Sequence, residues 1–250
     1  MNIHSFFILK KSGACIYSRN FTDEIEYNVN LITPFFSAIF SFSDKVISRD
    51  LEVLEMGGLR FVFEIKDEFI FVLLSDSTVS ILFVDTRLEK ISDIFFKKFP
   101  DKKLIKDYQE IEDQEFNEMV DSIVEGEDEI SKERALYKKI INLFKTLIIQ
   151  NEIIGAAVLS TNGNIIYSSL PNDILLRSLK ELEIRFMTGA VELPELFYRL
   201  GDGRKVFSKY VKIPWKLDNF LIVLLFEKNV PLGMAELQLQ KVSKQTKNLI

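Results

Sequence analysis

His4 is the single histidine of the chain and Cys15 its single cysteine. A serine–histidine–carboxylate site would have to use His4, and a cysteine nucleophile would need the same ring as its base. His4 lies inside an apolar run, Ile3 to Leu9, where a structural place in a strand is the better reading. Cys15 has no second histidine and no other cysteine to work with, so a core or surface thiol is expected. The run Gly201-Asp202-Gly203-Arg204-Lys205 invites an anion-binding reading. No Gly-x-x-x-x-Gly-Lys-Ser/Thr loop is present, however, and a tight turn before a strand accounts for these residues better. Carboxylates crowd the stretch from Asp107 to Glu129, which reads as a short helix and then an exposed connection. Flexible, solvated carboxylates do not make a tuned acid/base pair. No catalytic residue, metal site or cofactor is therefore expected, and the chain reads as a binding protein rather than an enzyme.

Composition narrows the partners. The chain has 250 residues, of which 47% are hydrophobic and 12% aromatic, with 22 Phe. That is ample material for a core, and two domains of ordinary size use it well. Mean hydropathy is +0.10, and such surplus apolar surface often ends in a subunit interface. Net charge is −5, with no basic stripe to neutralise phosphates, which argues against nucleic acid. A lone cysteine fits a reducing, cytoplasmic setting. No apolar run has the length of a membrane span, and the start lacks the pattern of a signal peptide, so membrane contact would be indirect.

These residues must be carried by an α+β chain. Ile3 to Leu9 and Ala14 to Ser18, broken by Lys10-Lys11-Ser12-Gly13, predict a hairpin. Tyr27 to Phe42 has helical spacing. Either Thr33 caps a helix whose first residue is Pro34, or the helix starts earlier and bends there. Val46 to Met56, Leu59 to Ile65 and Phe69 to Leu74 are strand candidates, the last continuous in apolar residues and hence central. Ser75-Asp76-Ser77 offers cap chemistry for a helix running to Phe99, before Pro100. A short helix holds Phe116, Val120 and Ile123, and the acidic run Glu125 to Glu129 reads as a linker. The domains expected are 1–125 and 131–250. In the second, a helix through Leu136 and Leu147 precedes a hairpin, Ile154 to Ser160 and Ile165 to Ser168, turned at Asn162-Gly163. A helix with Leu175, Leu179, Leu182 and Phe186 follows. Residues 189–203 read as irregular, then come strands Lys205 to Ile213 and Asn219 to Phe226, joined around Pro214-Trp215. Pro231-Leu232-Gly233 opens a last helix.

Residues 1–125 resemble a longin domain, in the opening Ile3 to Leu9, the Ser12-Gly13 turn, the return through Ile16-Tyr17-Ser18-Arg19 and the Gly57-Gly58 turn. Residues 131–250 resemble the roadblock (dynein light chain) family, in Ile154-Gly155-Ala156-Ala157-Val158, the Asn162-Gly163 turn and Pro231-Leu232-Gly233-Met234-Ala235-Glu236-Leu237. The order of elements over both halves carries the resemblance. It implies two domains, each a five-stranded, mostly antiparallel sheet flanked by helices and profilin-like in outline. It also implies a non-catalytic adaptor or regulator of a small GTPase of the Rag, Arf, Rab or gliding-motility type, in a traffic or signalling system. Abundant Lys, Ile, Phe and Asn are similar to archaeal relatives of that machinery.

Such domains pair, so a homodimer or a heterodimer with another longin or roadblock protein is expected. The surface predicted for it is the helix with Leu175, Leu179, Leu182 and Phe186, beside an edge strand holding Val206 and Tyr210. An arginine finger would need one exposed Arg at the GTPase, for which Arg19, Arg60 and Arg87 are candidates in the first half. The competing reading is a PAS-like small-molecule sensor, whose Phe-rich interior holds an apolar ligand. It lacks evident polar anchor residues.

Overall fold

The computed structural model describes residues 2–25, 29–43, 45, 50–100, 110–191, 195–213 and 219–249. The chain forms two compact units, Met1–Asp128 and Glu129–Ile250. The fold is α+β, with one five-stranded antiparallel sheet in each unit.

In the first unit, β1 (Ile3–Lys10) and β2 (Cys15–Asn20) form the opening hairpin, followed by α1 (Val29–Phe42). Then come β3 (Val53–Met56), β4 (Leu59–Lys66), β5 (Phe69–Asp76), α2 (Ile81–Lys98) and α3 (Gln114–Glu125). The strand order is β2-β1-β5-β4-β3. The continuous apolar run of β5 is central because both its faces are covered. On one face Phe69, Phe71 and Leu73 pack with Val84, Leu88, Ile91 and Phe95 of α2 and Phe116 and Val120 of α3. On the other, Ile70, Val72 and Leu74 share a cluster with Phe36 of α1, Phe61 and Phe63. Phe36 meets the rings of Phe61 and Phe63 edge-on, with centroids 5.1 and 5.3 Å away. Each Phe removed from water in this way contributes about 1.5–3 kcal/mol.

The second unit holds all but the first two residues of α4 (Glu127–Ile149), then β6 (Gly155–Ser160), β7 (Ile165–Ser168), α5 (Asn172–Met187), β8 (Glu195–Arg199), β9 (Lys205–Val211), β10 (Phe220–Phe226) and α6 (Leu232–Asn248). Its strand order, β7-β6-β10-β9-β8, repeats that of the first sheet strand for strand. The central β10 is buried along its whole length. Ile140, Phe144 and Leu147 of α4 and Ala235, Leu239 and Val242 of α6 pack on the face bearing Phe220, Ile222 and Leu224. The opposite face carries α5, as the hydrogen bond from Ser208 Oγ of β9 to Glu181 of α5 shows at 2.5 Å.

Of the two readings of Pro34, the earlier start holds: Pro34 lies inside α1, which begins at Val29. Other sequence expectations change. Ser75 and Asp76 belong to β5, and α2 starts after Ser80. Asp76 is occupied elsewhere, accepting from the Asn2 N–H at 2.8 Å and lying 3.0 Å from His4 Nε2. Of the expected strand Val46 to Met56, only Val53–Met56 forms β3, and residues 46–49 lie outside the described residues. The joint at Pro214-Trp215 also lies outside them. The acidic linker is not an irregular connection. Gly126, at φ 74°, adopts the left-handed conformation that ends α3, and the chain re-enters a helix at Glu127. Acidic residues suit a helix start, where the dipole is positive.

Candidate protein interface

The residues predicted to form a docking surface fall mostly inside the second unit. Leu175, Leu179 and Leu182 of α5 are buried, and so is Val206 of β9. Phe186 and Tyr210 are half-buried. A four-residue apolar repeat on a helix marks the side that leaves water, and here that side is already covered within the chain. Nor is β9 an edge. It pairs with β10 through Val206–Leu225 and Tyr210–Leu221, and with β8 through Tyr198–Val206.

The edge is β8, in the stretch read from sequence as irregular. Among the described residues it pairs with β9 alone. Its cross-strand register places Leu196 opposite Ser208 and Phe197 opposite Phe207, so the two side chains point to opposite faces of the sheet. Both are exposed, Leu196 at 37% and Phe197 at 42%. Phe197 leans on Phe207 with centroids 4.7 Å apart. Leu196 shares the face of Ser208, the side on which α5 lies. The outer apolar residues of α5 are Ile184 and Met187, not the leucines. A run of apolar and aromatic residues, Leu196-Phe197-Tyr198, between Pro194 and Gly201 was the signal available for this strand.

Beneath this edge is a buried polar group. Glu181 accepts from Arg185 Nε at 2.9 Å and from Ser208, and Arg185 is 2% exposed. Lys209 on β9 donates to Glu195 on β8 at 2.7 Å, fixing the register of the edge pair. Burial first, then the nearby Glu181 charge, pushes the Tyr198 hydroxyl above its ordinary range.

Edge strand β2 of the first sheet is treated differently. The Ile111 N–H donates to Ile16 O at 2.8 Å, so the segment leading into α3 occupies part of that edge. Tyr17 Oη donates to Asn117 at 2.7 Å, and its ring meets Phe116 at 5.0 Å. Two of the three candidate arginines are buried. Arg60 donates to Glu55 at 2.7 Å and to Val79 O at 2.6 Å. Arg87 lies 3.3 Å over the Phe83 ring and donates to Val124 O at 3.2 Å. Arg19 is held by Asp121.

No family model matches the chain, and no curated protein matches it. Among solved structures it is similar to the gliding protein MglB from Thermus thermophilus, at 15% identity and TM-score 0.36, over 46% of this chain and 90% of that one. MglB from Myxococcus xanthus is similar at 16% identity and TM-score 0.35, over 46% and 92%. An MglB with tetrameric arrangement is similar at 14% identity and TM-score 0.36, over 46% and 90%.

The remaining chemical candidates are structural in their surroundings. His4 is buried between Thr22 Oγ1, 2.8 Å from Nδ1, and Asp76, and it ties β1 to the end of β5. Burial pushes the Cys15 thiol up to about 11, which keeps it protonated and unreactive near neutrality. Asp202 accepts from the Arg204 N–H at 2.9 Å and from Arg204 Nε at 2.6 Å, closing the Gly201–Gly203 turn on itself. Among the described residues, no three His, Cys, Asp or Glu side chains converge as metal ligands. None of the described helices is long and apolar enough to cross a membrane.

Proposed function

We propose that this chain is a non-catalytic regulator of a small GTPase, working in the cytosol as a dimer joined through β8. The observation that carries the reading is strand β8, which among the described residues pairs with β9 alone and is apolar on both faces through Leu196 and Phe197. An unpaired strand edge is a template for another strand, and natural monomers blunt such edges with charge, proline or a covering segment. Adding the same edge of a second copy about a twofold axis would continue the sheet and cover Leu196, Phe197, Ile184 and Met187. The GTPase side of the proposal draws on the longin and roadblock resemblance. The architecture that it implied, a five-stranded antiparallel sheet flanked by helices, is the one observed in both units.

Light scattering of the full chain at rising concentration tests the dimer. The pair Leu196→Lys and Phe197→Asp should raise its dissociation constant by at least about tenfold, since exposed aromatic anchors dominate such contacts. Unchanged circular dichroism would show that the fold survives. A strict monomer in the unaltered protein would end the proposal. The GTPase reading is tested by pull-down with the small GTPases of the same genome, loaded with GDP or a GTP analogue, then by GTP hydrolysis with any that bind. Capture of none in either state would refute it.

A further inference from the structure

Strand β8 reads Glu195-Leu196-Phe197-Tyr198-Arg199. It has an acid at one end, a base at the other and Phe197 in the middle. Turned end for end, the same strand sets Glu195 against Arg199, Leu196 against Tyr198 and Phe197 against itself. Its side chains therefore complement a second, antiparallel copy of β8, by opposite charge at both ends and apolar contact between them.

The backbone favours the same register. The Leu200 N–H donates to Arg204 O at 2.8 Å, so these two residues form a hydrogen-bonded pair at the mouth of the β8–β9 hairpin. Hydrogen-bonded and non-hydrogen-bonded pairs alternate along an antiparallel ladder. Tyr198–Val206 and Leu196–Ser208 are then the hydrogen-bonded pairs of β8 with β9. Glu195, Phe197 and Arg199 turn their N–H and C=O groups the other way, out of the sheet edge. An antiparallel copy centred on Phe197 joins all of these groups, with Glu195 facing Arg199 and Phe197 facing Phe197. Sliding that copy by two residues keeps the outward groups in step but sets Glu195 or Arg199 against Phe197, and both ion pairs are lost.

The end groups are placed for this exchange. Arg199 is exposed and has no ion-pair partner among the described residues. Lys209 donates to one oxygen of Glu195, Oε1, at 2.7 Å and so holds the carboxylate at its end of the strand. The strand in the equivalent position of the first sheet, β3, reads Val53-Leu54-Glu55-Met56 and has no cation to offer Glu195.

Building on the β8 dimer proposed above, we infer that this strand selects a second copy of the same chain, in an antiparallel register centred on Phe197. Glu195 of each copy pairs with Arg199 of the other, and these two residues discriminate against edge strands that lack the pattern.

The experiment measures dissociation constants of the full chain by analytical ultracentrifugation. Glu195→Arg sets like charges against each other at both ends of the paired strands. It should raise the dissociation constant at least about tenfold, equivalent to about 1.4 kcal/mol. Arg199→Glu should do the same with carboxylates. It lies opposite Lys205 within its own sheet, so it keeps the fold even if Glu195→Arg, opposite Lys209, does not. Mixed in equal amounts, the two single variants should recover the affinity of the unaltered chain to within about threefold, since every base then faces an acid. The double variant, Glu195→Arg with Arg199→Glu, should pair with itself and not with the unaltered chain. Dimers indifferent to the charge reversals but lost with Leu196→Lys and Phe197→Asp would overturn the register and leave the β8 dimer standing. Dimers indifferent to all of these changes would overturn the β8 dimer itself. A double variant that pairs equally well with the unaltered chain would overturn the choice of partner.

Discussion

Arg19 of β2 grips Asp121 of α3 through two hydrogen bonds, Nη2 to Oδ2 at 2.6 Å and Nε to Oδ1 at 3.0 Å. The pair is a fork-to-carboxylate contact between residues 102 apart in sequence. The hydrogen bond that Arg19 donates to Asp121, set against some loss of hydration, raises the guanidinium pKa above its ordinary value. Both side chains remain about a third exposed, so solvent screens the attraction. A double-mutant cycle of Arg19→Ala and Asp121→Ala, read by urea unfolding, should give a coupling of about 0.5–1 kcal/mol that shrinks in high salt. If Arg19 were instead a finger for a GTPase, Arg19→Ala would abolish stimulated hydrolysis while Asp121→Ala would preserve it. The expected result is that the two variants behave alike.

Glu181 should be the most sensitive position of the second unit. Removing its carboxylate leaves Arg185, which is buried, without its main anion and Ser208 without its acceptor. Breaking one partner of a buried pair costs about 3–5 kcal/mol. Glu181→Ala should therefore lower unfolding stability by an amount in that range. The double variant Glu181→Leu with Arg185→Leu should recover most of the loss, because apolar replacements of similar volume need no partner. Denaturant midpoints at constant m-value decide it.

Acid should loosen α3 first at its start. Asp113 accepts from the Phe116 N–H at 2.8 Å as the N-cap, and Lys98 lies 3.0 Å from the same oxygen. The capping hydrogen bond, then Lys98, hold its carboxyl below the ordinary value of 3.8. A depressed carboxylate contributes stability above its unfolded pKa and loses it as pH falls through the folded one. The contribution is thus complete at neutral pH and fades below about pH 4. Asp113→Asn keeps a capping oxygen but cannot titrate. Its unfolding free energy should fall less steeply between pH 4 and pH 2 than that of the unaltered protein, in parallel urea titrations.

Cys15 should be slow toward alkylating agents. Burial lifts its thiol from 9.0 to about 11, so the thiolate at neutral pH is about a hundredfold scarcer than for a free cysteine. Iodoacetamide labelling of the folded protein should be slower by at least that factor than labelling in urea. Mass spectrometry at timed quench points measures both rates. Labelling at equal rates would show that the thiol is not held as described.

Much of the architecture was legible because burial writes a period into sequence. The unbroken apolar run of β5 announced a strand covered on both sides, and it is the middle strand of its sheet. Asn162-Gly163 announced its hairpin, and Gly163 has the positive φ of 75° that such a turn needs. Edge strand β8 was illegible for the complementary reason. With Leu196, Phe197 and Arg199 all exposed, it has no buried face to impose alternation. Periodicity also says that one side of a helix leaves water without saying what covers it. The leucine stripe of α5 therefore served equally as a core face or a docking face until the sheet beneath it was in place.

The sequence by itself determined the class: an acidic α+β chain, rich in Phe, with one histidine, one cysteine and neither a phosphate loop nor a basic stripe. These are matters of composition and local pattern, fixed wherever the chain folds. Only the tertiary structure decided that the two sheets share one strand order, that β8 rather than β9 ends the second sheet among the described residues, and that Arg60 and Arg87 are buried. Each of those facts depends on residues far apart along the chain that meet only when the apolar faces close over one another, and no local spacing encodes such a meeting.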